Sequence, residues 1–297
     1  MNEILLDVRH LSHCFKLNKS SVIKAADDVS FQIRKGEILG LVGESGSGKS
    51  TVARCVMNIT EPVSGKVIYK GIDIWDSAQF RKNKKLLQTS RQMIFQDSAT
   101  CLNNNMTVAE IIAEPMEINR IVPPRKTLRD EAEFQLYYVG MDKSYMDKHP
   151  YELSGGMRQR VAIARALTME PELLIADEPI SSLDVSIQAQ IINLFKHLQA
   201  EHGFSILFIA HDLSVVRYLC DRVGVMYRGK LVEIAPTDEL FGNPVHKYTQ
   251  ALLSAIPVPD PRVERNRELV EFDASDFEKD CIFREISPDH FVLTAGR

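Results

Sequence analysis

The chain has 297 residues, of which 44% are hydrophobic and 26% charged, and a formal net charge of −4. That composition builds a large core with a prior of roughly two domains, and the mild negative balance gives no electrostatic case for a nucleic-acid partner. No apolar run approaches the ~20 residues that span a bilayer, and Met1-Asn2-Glu3 opens no basic-then-apolar leader; the expectation is a cytosolic enzyme whose link to a membrane runs through other proteins.

In chain order, Leu5–His10, Val29–Ile33 and Lys66–Tyr69 alternate as strands, with turns at Lys35-Gly36 and Ser64-Gly65. They predict an antiparallel N-terminal sheet. The apolar run Ile38–Val42 reads as a buried strand and leads into Gly43-Glu44-Ser45-Gly46-Ser47-Gly48-Lys49-Ser50, a complete G-x-x-x-x-G-K-S loop, before the helix-compatible Thr51–Asn58. Glycines let backbone N–H groups turn inward around phosphates, Lys49 reaches the terminal phosphates, and the Ser50 hydroxyl can ligate Mg²⁺. The expected ligand is a nucleoside triphosphate bound by residues 43–51, Thr51 included.

Arg81-Lys82-Asn83-Lys84-Lys85, with Arg91 nearby, is the one basic cluster and reads as a solvated helical face. From Gln96 to Ser154 the pattern turns helical, with Val108–Glu117 and Leu128–Val139 separated by Pro123-Pro124. A helical subdomain over about 97–157 is expected. At its end Leu153-Ser154-Gly155-Gly156 opens a helix running through Leu167, and a Ser hydroxyl at a helix N-terminus is a second place for a phosphate. Leu173–Ala176 is a short apolar strand closed by Asp177 and Glu178. An acid ending such a strand holds Mg²⁺, usually through water, and the next carboxylate polarises the water that attacks the γ-phosphate.

The order of these parts resembles the ATP-binding cassette (ABC) proteins. That resemblance implies an α/β P-loop NTPase fold with an antiparallel β-subdomain, a helical signature subdomain and a small C-terminal extension. It makes Ser154, Gly155 and Gly156 the signature turn that serves the nucleotide of another subunit. It makes Gln96 a glutamine that ligates Mg²⁺ and senses the membrane partner, and Asp184, in Ser181-Ser182-Leu183-Asp184, part of a loop crossing to the opposite subunit. His211, after Ile206–Ala210, would contact the γ-phosphate. Phe15 sits where the family stacks an aromatic on adenine, although a Phe among apolar residues is as well read as core.

Phe241–Pro257, with Asp260-Pro261, is similar to the C-terminal extension of ABC ATPases that energise oligopeptide and dipeptide importers. Asp184–Gln190 and Ala210–Arg217 are similar to the same subfamily and favour its F-type subunit, so the resemblance covers about residues 4–261. It implies a cassette over 1–240, an extension over 241–297, the substrates and cofactors ATP and Mg²⁺, two integral membrane permeases, a second and paralogous ATPase subunit, a solute-binding protein acting indirectly, and a place on the cytoplasmic face of the membrane. Met157, Ser98 and Lys247 depart from the subfamily's glutamine and prolines. Relatives often carry a cysteine cluster in the tail that can hold an iron–sulfur centre, whereas Cys14, Cys55, Cys101 and Cys220 lie earlier and only Cys281 follows Pro261. All five read as free thiols. An importer of nickel, glutathione or another small solute, an exporter's cassette, and a soluble ABC switch acting on ribosomes or DNA are the alternatives, and the tail is expected to be acidic and irregular.

Overall fold

The computed structural model describes residues 3–18, 21–96, 101–256, 270–273 and 281–295. The strands are β1 (Ile4–Asn18), β2 (Ser21–Arg34), β3 (Ile38–Val42), β4 (Ser64–Tyr69), β5 (Ile72–Asp73), β6 (Arg91–Ile94), β7 (Leu173–Asp177), β8 (Ser205–Ile209), β9 (Arg222–Tyr227), β10 (Lys230–Pro236), β11 (Cys281–Ser287) and β12 (His290–Ala295). The helices are α1 (Lys49–Val56), α2 (Ser77–Thr89), α3 (Val108–Ile118), α4 (Leu128–Tyr138), α5 (Gly155–Leu167), α6 (Val185–His202), α7 (Leu213–Leu219), α8 (Thr237–Gly242) and α9 (Lys247–Ser254). The chain forms two compact units, one built chiefly on Tyr69–Leu207 and the other on Leu6–Ile33, Glu37–Ile68 and the chain from Phe208 on.

In the first unit β6 and β7 run parallel, from Arg91 opposite Leu173 to Ile94 opposite Ala176. Every residue of β7 is buried, as expected of a strand covered on both faces. Helices α3, α4 and α5 pack on one another, burying Ile111, Ile112, Met116, Leu136 and Ile163. The apolar spacing on each helix thus forms one stripe turned to its neighbours. Thr107 starts α3 with a capping box: its hydroxyl accepts from Glu110 N–H and the Glu110 carboxylate accepts from Thr107 N–H. The two helices expected between Gln96 and Ser154 are therefore present with ends within a residue of the predicted ones.

Arg81, Lys82, Lys84 and Lys85 lie exposed on α2, but Arg91 does not belong with them. Its guanidinium is buried, donates from Nε to Leu87 O at 3.0 Å and lies 5.4 Å from the centroid of the Tyr69 ring. Burial pushes it down to about 10. Sequence proximity had grouped a structural cation with a solvated face.

In the second unit the order β11-β12-β10-β9-β3 is hydrogen-bonded throughout. β3 and β9 are parallel, whereas β9, β10, β12 and β11 follow as antiparallel neighbours. A further sheet orders β2-β1-β4; with two residues between the ends of β1 and β2 that pair is antiparallel, since a parallel return needs a dozen residues or more. The tail over 281–295 is not irregular. It is a β-hairpin laid on β10, with Glu233 opposite Val292 and Ile234 opposite Phe291, and Phe283 stacks on Phe291 across it at 5.9 Å. Ser98, Pro257, Pro259 and Pro261 lie outside the described residues.

Candidate functional site

The site residues divide between the two units, and each unit assembles its own set. In the second unit β3 delivers the chain into the glycine-rich loop and α1 leaves it. Lys49 is buried and its ammonium donates to Gly43 O at 2.8 Å, Glu44 O at 2.9 Å and Ser47 Oγ at 3.2 Å. The cation therefore sits inside the ring of the loop rather than in solvent.

Two glycines are required by both conformation and space. Gly48, at φ +106°, would place a Cβ 1.9 Å from Ala25 O, and Gly43, at φ +144°, would place one 2.1 Å from Met226 O. The backbone of β2 and β9 thus passes where any side chain would stand. Gly48 is also the N-cap of α1 and contributes no side-chain cap. The positive end of that helix's dipole favours an anion there.

Ala210 N–H donates to Leu41 O at 3.4 Å, so the exposed His211 follows directly on a residue tied to the strand that feeds the loop. Phe15 is 44% exposed, in edge contact with His13 at 4.7 Å. The core alternative for Phe15 is overturned.

A further contact was not expected from sequence. Glu44 N–H donates to the hydroxyl of Tyr248 at 3.2 Å. The segment His246-Lys247-Tyr248 carried a resemblance but no role, because nothing local in the sequence says that a helix 204 residues away touches the loop.

In the first unit Asp177 is buried at the end of β7, and Glu178 follows it with φ +46°. A non-glycine residue in that region carries strain of about 1–2 kcal/mol. Ser181 holds the conformation, since both its N–H and its Oγ donate to Glu178 O, at 3.3 and 3.2 Å. The turn aims the Glu178 side chain to receive a 2.9 Å hydrogen bond from Gln96 Nε2 on Oε2. Gln96, Asp177 and Glu178 are thus adjacent, and their carboxylate and amide oxygens are the hard donors that Mg²⁺ takes.

Ser154 is the exposed N-cap of α5 and its hydroxyl accepts from Met157 N–H at 3.3 Å. A Cβ on Gly156 would come within 2.6 Å of Ile187 Cγ2, so the absence of a side chain lets α6 approach the turn. Asp184 caps α6 without a side-chain hydrogen bond of its own and is exposed. The loop before it is fixed by Gln188 Nε2, which donates to Ile180 O at 3.1 Å and Leu183 O at 3.0 Å.

Comparison with known proteins agrees with this arrangement. A family model described as "ABC transporter" matches residues 26–181, and one described as "Oligopeptide/dipeptide transporter, C-terminal region" matches residues 232–288. The chain is 52% identical to an oligopeptide transport ATP-binding protein OppF of Bacillus subtilis, covering 99% of this chain and 97% of that one. It is 46% identical to OppF of Streptococcus mutans, covering 97% and 94%. Among solved structures, the ATP-binding cassette MJ0796, a dimer in a post-hydrolysis state with ADP and phosphate, superposes with a TM-score of 0.70 at 26% identity, covering 78% of this chain and 99% of that one. CbiO1 from Clostridium perfringens, part of an ABC transporter complex, gives 0.71 at 28%, covering 89% and 98%. The chain belongs to the ABC transporter ATP-binding family, and within it to the oligopeptide transport ATP-binding subunits.

Proposed function

We propose that this chain is the ATP-hydrolysing subunit that energises an importer of oligopeptides or dipeptides, working from the cytoplasmic face of the membrane. The observation that carries the reading is the near full-length similarity to oligopeptide transport ATP-binding proteins, extended through residues 232–288 by the oligopeptide/dipeptide transporter C-terminal region. Among the described residues no helix is long and apolar enough to cross a membrane. Coupling to transport then falls to two permease subunits, which the helical subdomain and the residues around Gln96 contact.

In this reading the backbone of residues 43–51 cradles the phosphates and Lys49 turns its ammonium from the loop carbonyls to the terminal phosphates. Phe15 stacks on adenine. Ser50, Asp177 and Gln96 would hold Mg²⁺, which would neutralise charge on the phosphates. Glu178 takes a proton from the water whose oxygen bonds to the γ-phosphorus as the bond to the β–γ bridging oxygen breaks. His211 donates to the γ-phosphate. Two cassettes associate head to tail, so that Ser154, Gly155 and Gly156 of one complete the nucleotide site of the other and Asp184 lies at the shared face. ATP shifts the equilibrium towards the closed pair by its differential affinity for that state, and hydrolysis releases it. The dimeric state of MJ0796 supports this part of the reading. The second cassette is a paralogous subunit, and a solute-binding protein supplies the cargo.

The test uses a tagged full-length chain expressed in its own host. It should co-purify with two integral membrane proteins and a second ATPase, and Lys49→Ala should abolish uptake of labelled tri- to pentapeptides. Recovery with ribosomes or DNA instead, or uptake of nickel or glutathione but no peptide, would overturn the assignment.

A further inference from the structure

On the phosphate loop Glu44 N–H donates to the Tyr248 hydroxyl at 3.2 Å. Tyr248 is 3% exposed. Its ring packs on Tyr227 with centroids 4.4 Å apart and takes Phe272 edge-on at 5.4 Å. Tyr227 directly follows Met226, whose carbonyl oxygen lies 2.1 Å from where a Cβ on Gly43 would stand.

The cluster is itself tied to the C-terminal hairpin. Tyr248 N–H donates to His246 Nδ1 at 3.1 Å. Val245 N–H and His246 N–H donate to the two carboxylate oxygens of Glu233, at 2.9 and 3.0 Å. Glu233, 0% exposed, is also hydrogen-bonded through Oε1 to Nε2 of the buried His290 at 2.8 Å. A continuous path of hydrogen bonds thus runs from the hairpin through β10 and the start of α9 to the loop. Burial first, and the Glu44 carboxylate as well, push the Tyr248 phenol up to about 12. The hydroxyl stays protonated across the physiological range, a neutral acceptor for the Glu44 amide.

We propose that Tyr248 is a positioning residue of the nucleotide site, holding the phosphate loop open at Glu44 so that the C-terminal extension sets the affinity for ATP. The inference rests on the nucleotide-binding reading of residues 43–51. A loop ordered before the nucleotide arrives loses less freedom on binding, which is the usual gain from preorganisation. A tyrosine kept only for its ring would have no need of a polar atom at this place, and phenylalanine would serve as well.

The test is Tyr248→Phe in the full-length chain, which keeps the ring and removes the acceptor. The dissociation constant for a non-hydrolysable ATP analogue should rise roughly three- to tenfold, the usual worth of one hydrogen bond. The KM for ATP should rise by the same factor while kcat changes less than about twofold. Amide exchange of the peptide covering residues 43–50 should quicken in nucleotide-free protein. Phe272→Leu, which loosens the seat of the ring without touching the hydroxyl, should move affinity and exchange the same way by a smaller factor. Unchanged affinity and unchanged exchange in both variants, even with a lowered melting temperature, would reduce Tyr248 to a packing residue. Failure of the wild-type chain to bind the analogue would instead overturn the nucleotide reading itself, and this inference with it.

Discussion

Gln96 Nε2 donates to Glu178 Oε2 at 2.9 Å, across 82 residues of sequence and between the ends of the neighbouring parallel strands β6 and β7. The hydrogen bond exists because Glu178 turns out of its strand at φ +46°, with Ser181 fixing the reversed carbonyl. The Glu178 carboxylate is therefore held in place by the Gln96 amide N–H. An oriented carboxylate is what a base for water requires. Glu178→Gln should keep nucleotide binding and slow hydrolysis by roughly 10²–10⁴-fold, the usual contribution of a positioned general base. Single-turnover ATPase and analogue binding measured on the same preparation check this, and equal hydrolysis rates would sink the role.

Replacing the amide tests the same contact through the rate. Gln96→Glu puts a second carboxylate where the amide now donates to Glu178 Oε2 at 2.9 Å, exchanging an attraction for like-charge repulsion. Hydrolysis should slow by about tenfold or more, read by single-turnover ATPase, and an unchanged rate would show that Gln96 does not position Glu178.

Much of this architecture was legible along the chain. Ile38–Val42, Leu173–Asp177 and the helix opened by Ser154 occur as read, because each is a run of like residues closed by a residue with a local job: glycine at φ > 0, an acid, a cap. What could not be read are pairings made by distant segments. Nothing near His290 announces that Glu233, 57 residues earlier, will need it. The hairpin of β11 and β12 left no clean alternation, since Ile282-Phe283-Arg284-Glu285-Ile286-Ser287 places apolar and polar residues on both faces, and the acidic stretch before it reads as irregular. Arg91 was misplaced for the opposite reason. It is close in sequence to exposed cations, and only the packing of Tyr69 shows that it is buried.

The loop glycines divide by what surrounds them. Gly48→Ala meets Ala25 O at 1.9 Å as well as an unfavourable φ of +106°, whereas Gly46, at φ +80°, has nothing within 4 Å of a new Cβ. Gly46→Ala should therefore cost only the left-handed backbone penalty of about 1–2 kcal/mol. Gly48→Ala must in addition displace the backbone of β2, and should both lower the denaturant midpoint further and abolish nucleotide binding. Equal losses of stability in the two variants would mean that the close approach of Ala25 relaxes without cost.

The cysteines give the last test. Cys55 and Cys220 are buried and Cys14, Cys101 and Cys281 are half-buried, all five as free thiols. Burial pushes the Cys55 thiol up to about 11 and raises Cys220 as well. The thiolate is the reactive form, so raising the pKa suppresses reaction at pH 8. Three thiols should react with a disulfide reagent in the folded protein and all five in denaturant. An iron–sulfur cluster generally needs four cysteine thiolates, and the tail beyond Pro261 holds only Cys281, placed on β11. Among the described residues no group of three or more His, Cys, Asp or Glu is arranged to hold a metal. Anaerobically purified protein should be colourless, contain no stoichiometric iron, and keep its ATPase activity as Cys281→Ser. Visible absorbance that disappears in Cys281→Ser would instead place a cluster on this chain and assign the hairpin a redox role.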